Sequence, residues 1–577
     1  MVNLRINGLP VSVEEGTTIL EAAKKVGIKI PTLCHMKEKN EIGACRICVV
    51  EVKGARSHVA SCVFPVSEGM EVFTNTPGIR KARKTTIELI LSDHKKDCLS
   101  CSRNLNCELQ ALSAEYGCDS MRFIGETNNF LPDTSTDYIV RDNTKCILCR
   151  RCVATCKKVQ EVAVIGANGR GFKTHIGCAF EGDLKDSPCV ACGQCINVCP
   201  TGALHEREEI DNVLDAINNP DKIVIAAAAP SVRAALAEEF GYPIGTNSEG
   251  KMASALKMLG FDKIFDVNFA ADMTIIEESN ELLERINKGG RLPMFTSCSP
   301  GWVRYLEFYY PELIPNLSSC KSPQQMFGAL TKTYYAEKMN IDPKRIYTVS
   351  IMPCVAKKFE KLRDDEEASG YADIDAVLTT RELAKLIKRA GILFEELPNG
   401  TFDNPMGDFT GAGVIFGATG GVMEAALRTA VEKITGKEME NLEYKELRGT
   451  KGIKEATYNV GGLDIKVAVA SGIANAKVIC DMIRKGECDY HFIEIMCCPG
   501  GCVNGGGQPI VSNFVRENND VKTLRAKVLY DEDAALSKRK SHDNPFVKEV
   551  YDNYLGEVGG HKAHHILHTA YVKRNKY

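Results

Sequence analysis

Several features that mark other protein classes are absent from this 577-residue chain. Its apolar runs are all shorter than the roughly 20 residues that a membrane helix needs. The stretch MVNLRINGLPVSV lacks the basic region and apolar region of a secretory signal. The net charge of −3 gives no global basic excess for nucleic-acid binding. These absences predict a cytoplasmic protein that binds neither membrane nor nucleic acid, and we expect a monomer.

Cysteine, in contrast, is abundant. The chain has 25 cysteines, of which seventeen precede residue 200 and eight follow it. Disulfide frameworks belong mainly to small secreted domains. In a large chain without a secretory signal, cysteines in close-spaced sets indicate metal centres instead. We interpret Cys118, Cys178, Cys480 and Cys488, which fall outside such sets, as ordinary unliganded cysteines.

The patterning predicts an α/β and α+β multidomain protein of roughly three to five units. Alternation in LRING and VSV predicts strands, and TTILEAAKKVG predicts a capped helix. From about residue 210, the strands KIVIAAAAP and RIYTVSIMPC alternate with the helices VRAALAEEFG and TTRELAKLIKRAG, which predicts a parallel sheet covered by helices. The predicted domains are a β-grasp [2Fe–2S] domain (1–78), a small His/Cys cluster domain (79–126), a bacterial ferredoxin-like two-cluster domain (127–209) and a large α/β domain (210–577).

The first cysteine set is Cys34, Cys45, Cys48 and Cys62. A plant-type [2Fe–2S] site uses four thiolates that include one close C-x2-C pair. The preceding strand–strand–helix pattern fits a β-grasp ferredoxin domain, although the spacing before the pair differs from that of plant ferredoxins. A structural zinc site is the alternative.

The second set is His94, Cys98, Cys101 and Cys107. Three thiolates and one imidazole suit either zinc or a [4Fe–4S] cluster. The position of this set between two iron–sulfur patterns favours the cluster. A neutral imidazole in place of a thiolate removes one negative charge, which should raise the reduction potential.

The third set consists of two runs with the bacterial C-x2-C-x2-C-x3-C spacing. In two-cluster ferredoxins the fourth cysteine of each run ligates the other cluster. We therefore assign one [4Fe–4S] cluster to Cys146, Cys149, Cys152 and Cys199, and the other to Cys189, Cys192, Cys195 and Cys156. Together the sets form a row of one-electron carriers that leads toward the large domain.

Three stretches in the large domain carry further cysteines: TSCSPGW, IMPCVAKKFE and EIMCCPGGCVNGGGQP. They resemble the signatures TSCCPxW, MPCxxKxxE and ExMxCxxGCxxGGG of the [FeFe]-hydrogenases, and the last two match at 352–360 and 494–507. The resemblance covers essentially the whole chain and is greatest to the long clostridial, ferredoxin-linked type. It implies reversible reduction of protons to hydrogen at an H-cluster, a [4Fe–4S] cubane joined to a diiron unit with CO, cyanide and azadithiolate. One [2Fe–2S] and three accessory [4Fe–4S] clusters would supply it with electrons.

The resemblance also implies roles for individual residues. Cys354, Cys498 and Cys502 would ligate the cubane, and Cys502 would bridge to the diiron unit. Lys357 and Ser231 would donate hydrogen bonds to the cyanides. The pocket around the two irons would be formed by Met352, Met496, Phe416 and Gln324.

A proton path is implied in the same way. Cys298 would be the first relay, followed by Glu278, Ser318, Glu281 and Arg285. Glu278, Glu281 and Arg285 are spaced i, i+3 and i+7, which places them on one helix face. Spacing alone would describe that face as solvated charge, whereas the resemblance favours the relay.

The serine of TSCSPGW departs from the family pattern, since Ser299 stands where the fourth cubane ligand is expected. Ser299 is the favoured ligand, through its alkoxide. Alternatively Cys298 rotates to ligate and gives up its relay role, or a nearby thiol, Cys497 or Cys320, substitutes. The sequence also leaves open whether Cys298, Cys320 or Cys497 caps the open iron. Catalytic bias, oxygen tolerance and complex formation with other subunits are likewise left open.

Ferredoxin or a similar small carrier is the predicted electron partner, because plant-type clusters have potentials near about −400 mV. Basic residues around IRKARK would face such an acidic protein. The alternative functions are a hydrogen sensor or low-activity hydrogenase-like electron-transfer protein, and an assembly protein without a diiron unit. We predict no NAD(H) site, because the glycine turn GATGG is too weak a signal.

Overall fold

The computed structural model describes residues 1–403, 406–438 and 442–576. Its amino-terminal part is a mixed five-stranded sheet with order β2-β1-β5-β3-β4 and one helix. The elements are β1 (Val2–Ile6), β2 (Leu9–Val13), α1 (Ile19–Lys25), β3 (Val49–Val52), β4 (Val59–Ala60) and β5 (Glu71–Phe73). The Thr18 hydroxyl accepts a hydrogen bond from the Glu21 amide at 3.3 Å, which caps α1.

Two small units follow, and both consist mainly of loops between short helices and strands. The first contains α2 (Pro77–Ser92) and α3 (Glu108–Glu115). The second contains β6 (Ile139–Arg141), α4 (Arg151–Ala154), β7 (Gly166–Asn168), β8 (His175–Gly177), α5 (Gln194–Val198) and β9 (Leu204–Glu206). Strand β6 pairs antiparallel with β9, and β7 pairs antiparallel with β8. These short elements leave the cysteine runs in the turns between them.

The remainder of the chain is built on two four-stranded sheets. The strands are β10 (Ile223–Ala228), β11 (Lys263–Asp266), β12 (Met294–Phe295), β13 (Ile346–Met352), β14 (Ala376–Thr379), β15 (Ile453–Val460), β16 (Leu463–Ser471) and β17 (Phe492–Met496). The sheet β11-β10-β13-β14 is wholly parallel, with Ala226 opposite Val349. The sheet β12-β17-β16-β15 is parallel except for β15. Residues on both faces of β10 and β13 are buried, as expected for a parallel sheet covered by helices.

Helices enclose both sheets. They are α6 (Ile210–Ile217), α7 (Pro230–Arg233), α8 (Glu249–Met258), α9 (Asn268–Lys288), α10 (Pro300–Tyr309), α11 (Pro323–Leu330), α12 (Ala336–Lys338), α13 (Ala356–Glu360), α14 (Thr380–Arg389), α15 (Gly411–Val414), α16 (Gly421–Thr435), α17 (Ile473–Arg484), α18 (Asn513–Asn518), α19 (Val521–Ala535), α20 (Pro545–Val550) and α21 (His561–Leu567). A reciprocal pair of hydrogen bonds between Thr379 and Glu382 caps α14. Within the described ranges, no helix is long and apolar enough to cross a membrane.

The continuous helix predicted for VRAALAEEFG is wrong. Helix α7 ends at Arg233, and a separate 3₁₀ turn spans Leu236–Phe240. The Arg233 carbonyl accepts hydrogen bonds from the amide and hydroxyl of Ser248, at 2.9 and 2.8 Å, and so is not the acceptor of a continuing helix. This distant contact ends the helix, and a local pattern does not encode it.

Candidate metal centre and proton path

Four parallel strands end around one cavity of about 820 Å³. Among the residues that line it, Ser231 follows the end of β10, and Cys298 and Ser299 follow the end of β12. Cys354 follows β13, and Cys498 follows β17. Ligand sites in open α/β sheets lie outside the carboxyl ends of the strands, as here. The fold thereby gathers three sequence stretches that are far apart along the chain.

The cavity wall combines thiols with apolar side chains. The cysteines Cys354, Cys498 and Cys502 line it, and burial raises the pKa of Cys502 to about 12. The remaining predicted pocket residues line it too: Met352, Met496, Phe416, Gln324, Lys357 and Ser231. The structure therefore brings together every residue that the sequence predicts for this pocket.

Two buried polar atoms face this cavity without a hydrogen-bond partner among the described residues. They are Ser231 Oγ and Gln324 Oε1. A Cβ atom on Gly417 would lie 2.2 Å from Ser231 Oγ, so only glycine leaves that hydroxyl room. Unpaired polar atoms beside free thiols fit a bulky metal cluster with polar ligands, because buried polar groups otherwise find partners.

Lys357 has a defined set of partners. Its Nζ donates to Ser322 Oγ and Glu360 Oε2, both at 2.7 Å, and to the Cys298 carbonyl at 3.3 Å. Glu360 also accepts a hydrogen bond from Gln324 at 3.1 Å. This network fixes the ammonium group at the cavity wall. Glu360 belongs to a signature stretch, but its role as a positioning residue for Lys357 was missed, and Ser322 gave no local sequence signal.

Ser299 and Cys497 are direct neighbours at the departure from the family pattern. The Cys497 amide donates to Ser299 Oγ at 3.1 Å, and both residues line the cavity. Contacts with the thiols of Cys192 and Cys498, followed by burial, raise the pKa of Cys497 well above its usual range. The hydrogen bond holds Ser299 Oγ at the cavity wall, where the family has its fourth cubane ligand, and Cys497 lies directly beside it.

Cys320 lies elsewhere, because it is not one of the described residues that line the cavity. Its Sγ donates weakly to Glu281 Oε2 at 3.9 Å. This location does not favour the alternative in which Cys320 ligates the cubane or caps the open iron.

The predicted relay residues form a line from the cavity toward the surface. Ser318 Oγ donates to Glu281 Oε2 at 2.9 Å, and Arg285 Nε donates to Glu281 Oε1 at 3.1 Å. Glu278 lies one helical turn before Glu281 on α9. The side chains of Glu281 and Arg285 are 16% and 15% exposed, so the outer end of the line reaches solvent.

Electrostatics distinguish the inner end of this line. Burial, followed by the charge of Glu281, raises the pKa of Glu278 to about 8. Burial, followed by the charge of Glu278, raises the pKa of Cys298 well above its usual range. Neither Glu278 oxygen has a close hydrogen-bond partner among the described residues, although Ser318 and the Ser297 amide lie near enough to lower its pKa slightly. A carboxyl with such a pKa both holds and releases a proton near neutral pH.

Two smaller cavities lie beside the cysteine runs. One, of about 520 Å³, is lined by Cys156, Cys189, Cys192 and Cys195. The other, of about 390 Å³, is lined by Cys146, Cys149, Cys152 and Cys199. Each cavity therefore takes its fourth cysteine from the other run, which is the grouping predicted from spacing.

The cavities share walls. Cys192 lines both the 820 Å³ and the 520 Å³ cavities. The backbone is closely packed at this wall, since a Cβ atom on Gly506 would lie 2.3 Å from the Cys192 carbonyl oxygen. A Cβ atom on Gly193 would lie 2.7 Å from Val355. The accessory unit and the large domain thus meet with no room for a side chain at Gly193 or Gly506.

The cysteines of the first amino-terminal set pair with one another. Cys48 Sγ lies 3.3 Å from Cys62 Sγ, and Cys34 hydrogen-bonds with Cys45. In the second set, burial lowers the pKa of His94 to about 4, which keeps its imidazole neutral. Its Nδ1 is buried and without a partner in the described part of the chain. The remaining members of that set lie in one loop, with Cys98 opening a 3₁₀ turn, Cys101 closing it and Cys107 preceding α3.

Family profiles match most of the chain in consecutive segments. "Iron only hydrogenase large subunit, C-terminal domain" matches 222–506, and "Iron hydrogenase small subunit" matches 519–574. The accessory part matches "2Fe-2S iron-sulfur cluster binding domain" over 1–77, "NADH-ubiquinone oxidoreductase-G iron-sulfur binding region" over 83–122 and "NADH-quinone oxidoreductase subunit 3, ferredoxin-like domain" over 136–205. The separate small-subunit match was not apparent from the sequence pattern.

Curated relatives and solved structures agree with these matches. The chain is 47% identical to the NADP-reducing hydrogenase subunit HndD of Solidesulfovibrio fructosivorans, over 100% of both chains. It is 46% identical to Iron hydrogenase 1 of Clostridium pasteurianum, over 99% of this chain and 100% of the relative. A solved structure of a variant of the [FeFe]-hydrogenase HydA1 from Chlamydomonas reinhardtii matches 63% of this chain and 98% of its own, with 42% identity and a TM-score of 0.56.

The predicted resemblance is thus confirmed over the full length, and the residues that carry it surround one cavity. The multidomain α/β architecture with a [2Fe–2S] domain and ferredoxin-like domains is supported by the same matches. The chain belongs to the [FeFe]-hydrogenase family, enzymes that reduce protons to hydrogen with electrons relayed through iron–sulfur centres.

Proposed function

We propose that this hydrogenase holds its H-cluster in the 820 Å³ cavity. The observation that carries the proposal is the convergence of Cys354, Cys498 and Cys502 beside two buried, unpaired polar atoms, Ser231 Oγ and Gln324 Oε1. Ser299 supplies the fourth cubane ligand in this proposal. The bound cluster, with CO, cyanide and azadithiolate on its diiron unit, would supply the two-electron chemistry that joins protons into hydrogen.

The chain's own residues orient the cluster and exclude water. Ser231 Oγ and Lys357 Nζ are hydrogen-bond donors for anionic ligands such as cyanide, and a charged donor makes the stronger bond. Glu360 and Ser322 keep Lys357 in place. The buried side chains of Met352, Met496 and Phe416 form an apolar wall that excludes water.

In this proposal protons are exchanged with solvent through a series of side chains. The Cys298 thiol passes a proton to or from the Glu278 carboxyl, and the Ser318 hydroxyl connects onward to Glu281. Arg285 holds the Glu281 carboxylate at the solvent end. Each proton transfer occurs either across a hydrogen bond to the next group or after a small side-chain rotation.

Electrons follow the cysteine sets. We propose one [2Fe–2S] cluster at the first set, a His/Cys₃ [4Fe–4S] cluster at the second and two [4Fe–4S] clusters at the paired runs. In this proposal the cluster held by Cys192 lies next to the H-cluster cavity, since Cys192 lines both cavities. This order gives a continuous route from the amino terminus to the site of hydrogen formation.

The proposed electron donor is ferredoxin or a similar small protein. We propose that the hydrogenase itself is a monomer located in the cytoplasm. The basic run IRKARK offers less charge than the sequence indicates, because Arg83 is buried and donates to the Val49 carbonyl at 2.8 Å. The relative named as an NADP-reducing hydrogenase subunit suggests another arrangement, in which the chain works with partner subunits and its electrons reduce NADP. Assays in which ferredoxin is the only electron donor distinguish these two arrangements.

Hydrogen evolution from reduced methyl viologen tests the proposal, with protein purified without oxygen and loaded with the diiron unit. We expect rapid evolution from the wild-type chain and none from Cys502→Ala. Loaded wild-type protein that evolves no hydrogen would contradict the proposal and favour a sensor.

Replacing His94 with cysteine should lower the reduction potential of the second-set cluster. The neutral imidazole would become a thiolate, and the added negative charge stabilises the oxidised cluster. Potentiometric titration followed by electron paramagnetic resonance (EPR) measures this potential, and we expect one cluster signal to shift while the others stay in place.

Cys118→Ser is the matched control for that titration, because Cys118 also lies in this unit but outside the set. Its titration curves should overlay those of the wild type. An unshifted set of potentials in a His94→Cys protein with full iron content would rule out His94 as a ligand.

A further inference from the structure

Three side chains that commonly bind metals meet outside the cluster cavities, at the outer end of the proton path. They are Glu281 on α9, Cys320 in the loop before α11 and His568 just after α21. One ligand atom of each lies within 4.8 Å of the other two. Backbone pairing between Cys320 and His568 holds the two segments together.

Each of these side chains is oriented by its neighbours. Arg285 donates to Glu281 Oε1, while Ser318 and the Ser319 amide donate to Oε2 at 2.9 and 3.0 Å. The Cys320 sulfur already contacts the same Oε2 at 3.9 Å. The carboxylate and the thiol are therefore adjacent before any ion binds, and an ion between them would replace the Cys320–Glu281 contact.

His568 is arranged like a metal ligand. Its Nε2 lies 3.3 Å from a carboxylate oxygen of Glu277, and its Nδ1 lies 2.8 Å from Ser319 Oγ. Tyr551 donates to Glu277 at 2.5 Å and fixes that carboxylate. Because Nε2 faces the Glu277 carboxylate, Nδ1 is the ring nitrogen that would bind a metal, and an entering ion would replace its hydrogen bond with Ser319.

The donor set indicates the metal. Thiolate, imidazole and carboxylate together suit Zn²⁺, which binds them at about 2.0–2.3 Å in a tetrahedron. Ligand atoms of such a tetrahedron are roughly 3.5 Å apart, so small side-chain rotations close the site. Mg²⁺ and Ca²⁺ prefer oxygen ligands and do not match.

The site is enclosed but reachable. Cys320 is fully buried and His568 nearly so, whereas the Glu281 side chain is 16% exposed. A hydrated ion would therefore enter from the Glu281 side and lose water as it binds. The fourth ligand would be water or a neighbouring serine hydroxyl.

We propose that Glu281, Cys320 and His568 form a Zn²⁺ site that inhibits the enzyme from the outer end of its proton path. Binding exchanges the thiol proton for the metal and occupies the Glu281 carboxylate, which then cannot carry protons. The inhibition rests on the proposed proton path, whereas the binding itself does not.

Zn²⁺ is added as its sulfate to fully loaded enzyme in a chelator-free buffer. Zinc-edge X-ray absorption and the rate of hydrogen evolution are measured on the same samples. We expect one tightly bound zinc per chain with one sulfur ligand, a loss of at least about tenfold in rate, and recovery with EDTA. Cys320→Ala and His568→Gln should each weaken the inhibition by at least about tenfold, relative to the metal-free rate of the same variant. Cys480→Ala, which removes another buried thiol, should be inhibited like the wild type.

The outcomes separate the two parts of the proposal. Zinc that binds equally well to Cys320→Ala, or that shows no sulfur ligand in the wild type, would overturn the site and leave the proton path untouched. Zinc bound at Cys320 with an unchanged rate would overturn the inhibition and would also count against Glu281 as the proton exit.

Discussion

Replacing Glu278 with glutamine should lower the rate of hydrogen evolution by about 10²–10⁴-fold, the usual contribution of a positioned acid–base group. Glutamine keeps the shape of the side chain but neither takes up nor releases a proton. The measurement is the hydrogen-evolution rate of fully loaded enzyme. Infrared bands of the H-cluster ligands should stay in place, because Glu278 does not line the cluster cavity among the described residues.

Glu284→Gln is the matched control for this substitution. Glu284 lies on the same helix, but its side chain is 54% exposed and pairs with Lys288. We expect a rate within about twofold of the wild type, since surface ion pairs contribute little. A Glu278→Gln enzyme that retained the wild-type rate would exclude Glu278 from the path.

The same carboxyl should give a pH-dependent signal. Its folded-state pKa is raised from 4.5 to about 8, chiefly by burial. The protonated form is therefore the stable one at neutral pH. The stability that this group contributes is complete below about pH 4.5 and is lost as the pH rises through about 8. Infrared difference spectra should show a protonated carboxyl band that titrates near pH 8 and is missing from Glu278→Gln.

Replacing Ser299 with alanine should leave the cubane with three protein ligands. One iron would then lack a ligand from the chain, and mild oxidation should remove it to give a [3Fe–4S] cluster with its own EPR signal. We expect hydrogen evolution to fall to background in the same protein. The measurement is EPR after controlled oxidation, together with iron analysis.

Cys497→Ala tests the competing ligand at the same site. Because we assign the fourth ligand position to Ser299, we expect this variant to keep an oxidation-stable cubane. Ser299→Cys, which restores the family pattern, should also keep it. If Cys497→Ala lost the iron and Ser299→Ala did not, the fourth ligand would be the Cys497 thiolate, contrary to our assignment.

Local spacing determined what could be predicted here. The spacing within the two four-cysteine runs predicts which cysteines bind the same cluster. The two smaller cavities are lined by cysteines in that same grouping. The strand and helix pattern of the large domain was also readable, because buried parallel strands are short apolar runs between helices.

Contacts between distant segments were not predictable. The break after Arg233 depends on Ser248, and the position of Lys357 depends on Ser322. His568 meets Glu281 only because α21 returns to the loop that carries Cys320. Nothing in the local sequence around these residues records such meetings. At Ser299, the departure from the family pattern is visible in the sequence, whereas the hydrogen bond with Cys497 is visible only in the structure.

The glycine-lined wall between the accessory unit and the large domain limits how this enzyme can be engineered. Gly506 and Gly193 bring the two backbones together without side chains, and Cys192 belongs to both cavities. The ferredoxin-like unit is therefore not an exchangeable part. A foreign electron-input unit grafted at this boundary would need to reproduce the same glycine contact, or it would open the pocket that protects the catalytic metal. Grafts placed further toward the amino terminus, beyond the paired cysteine runs, leave that pocket closed.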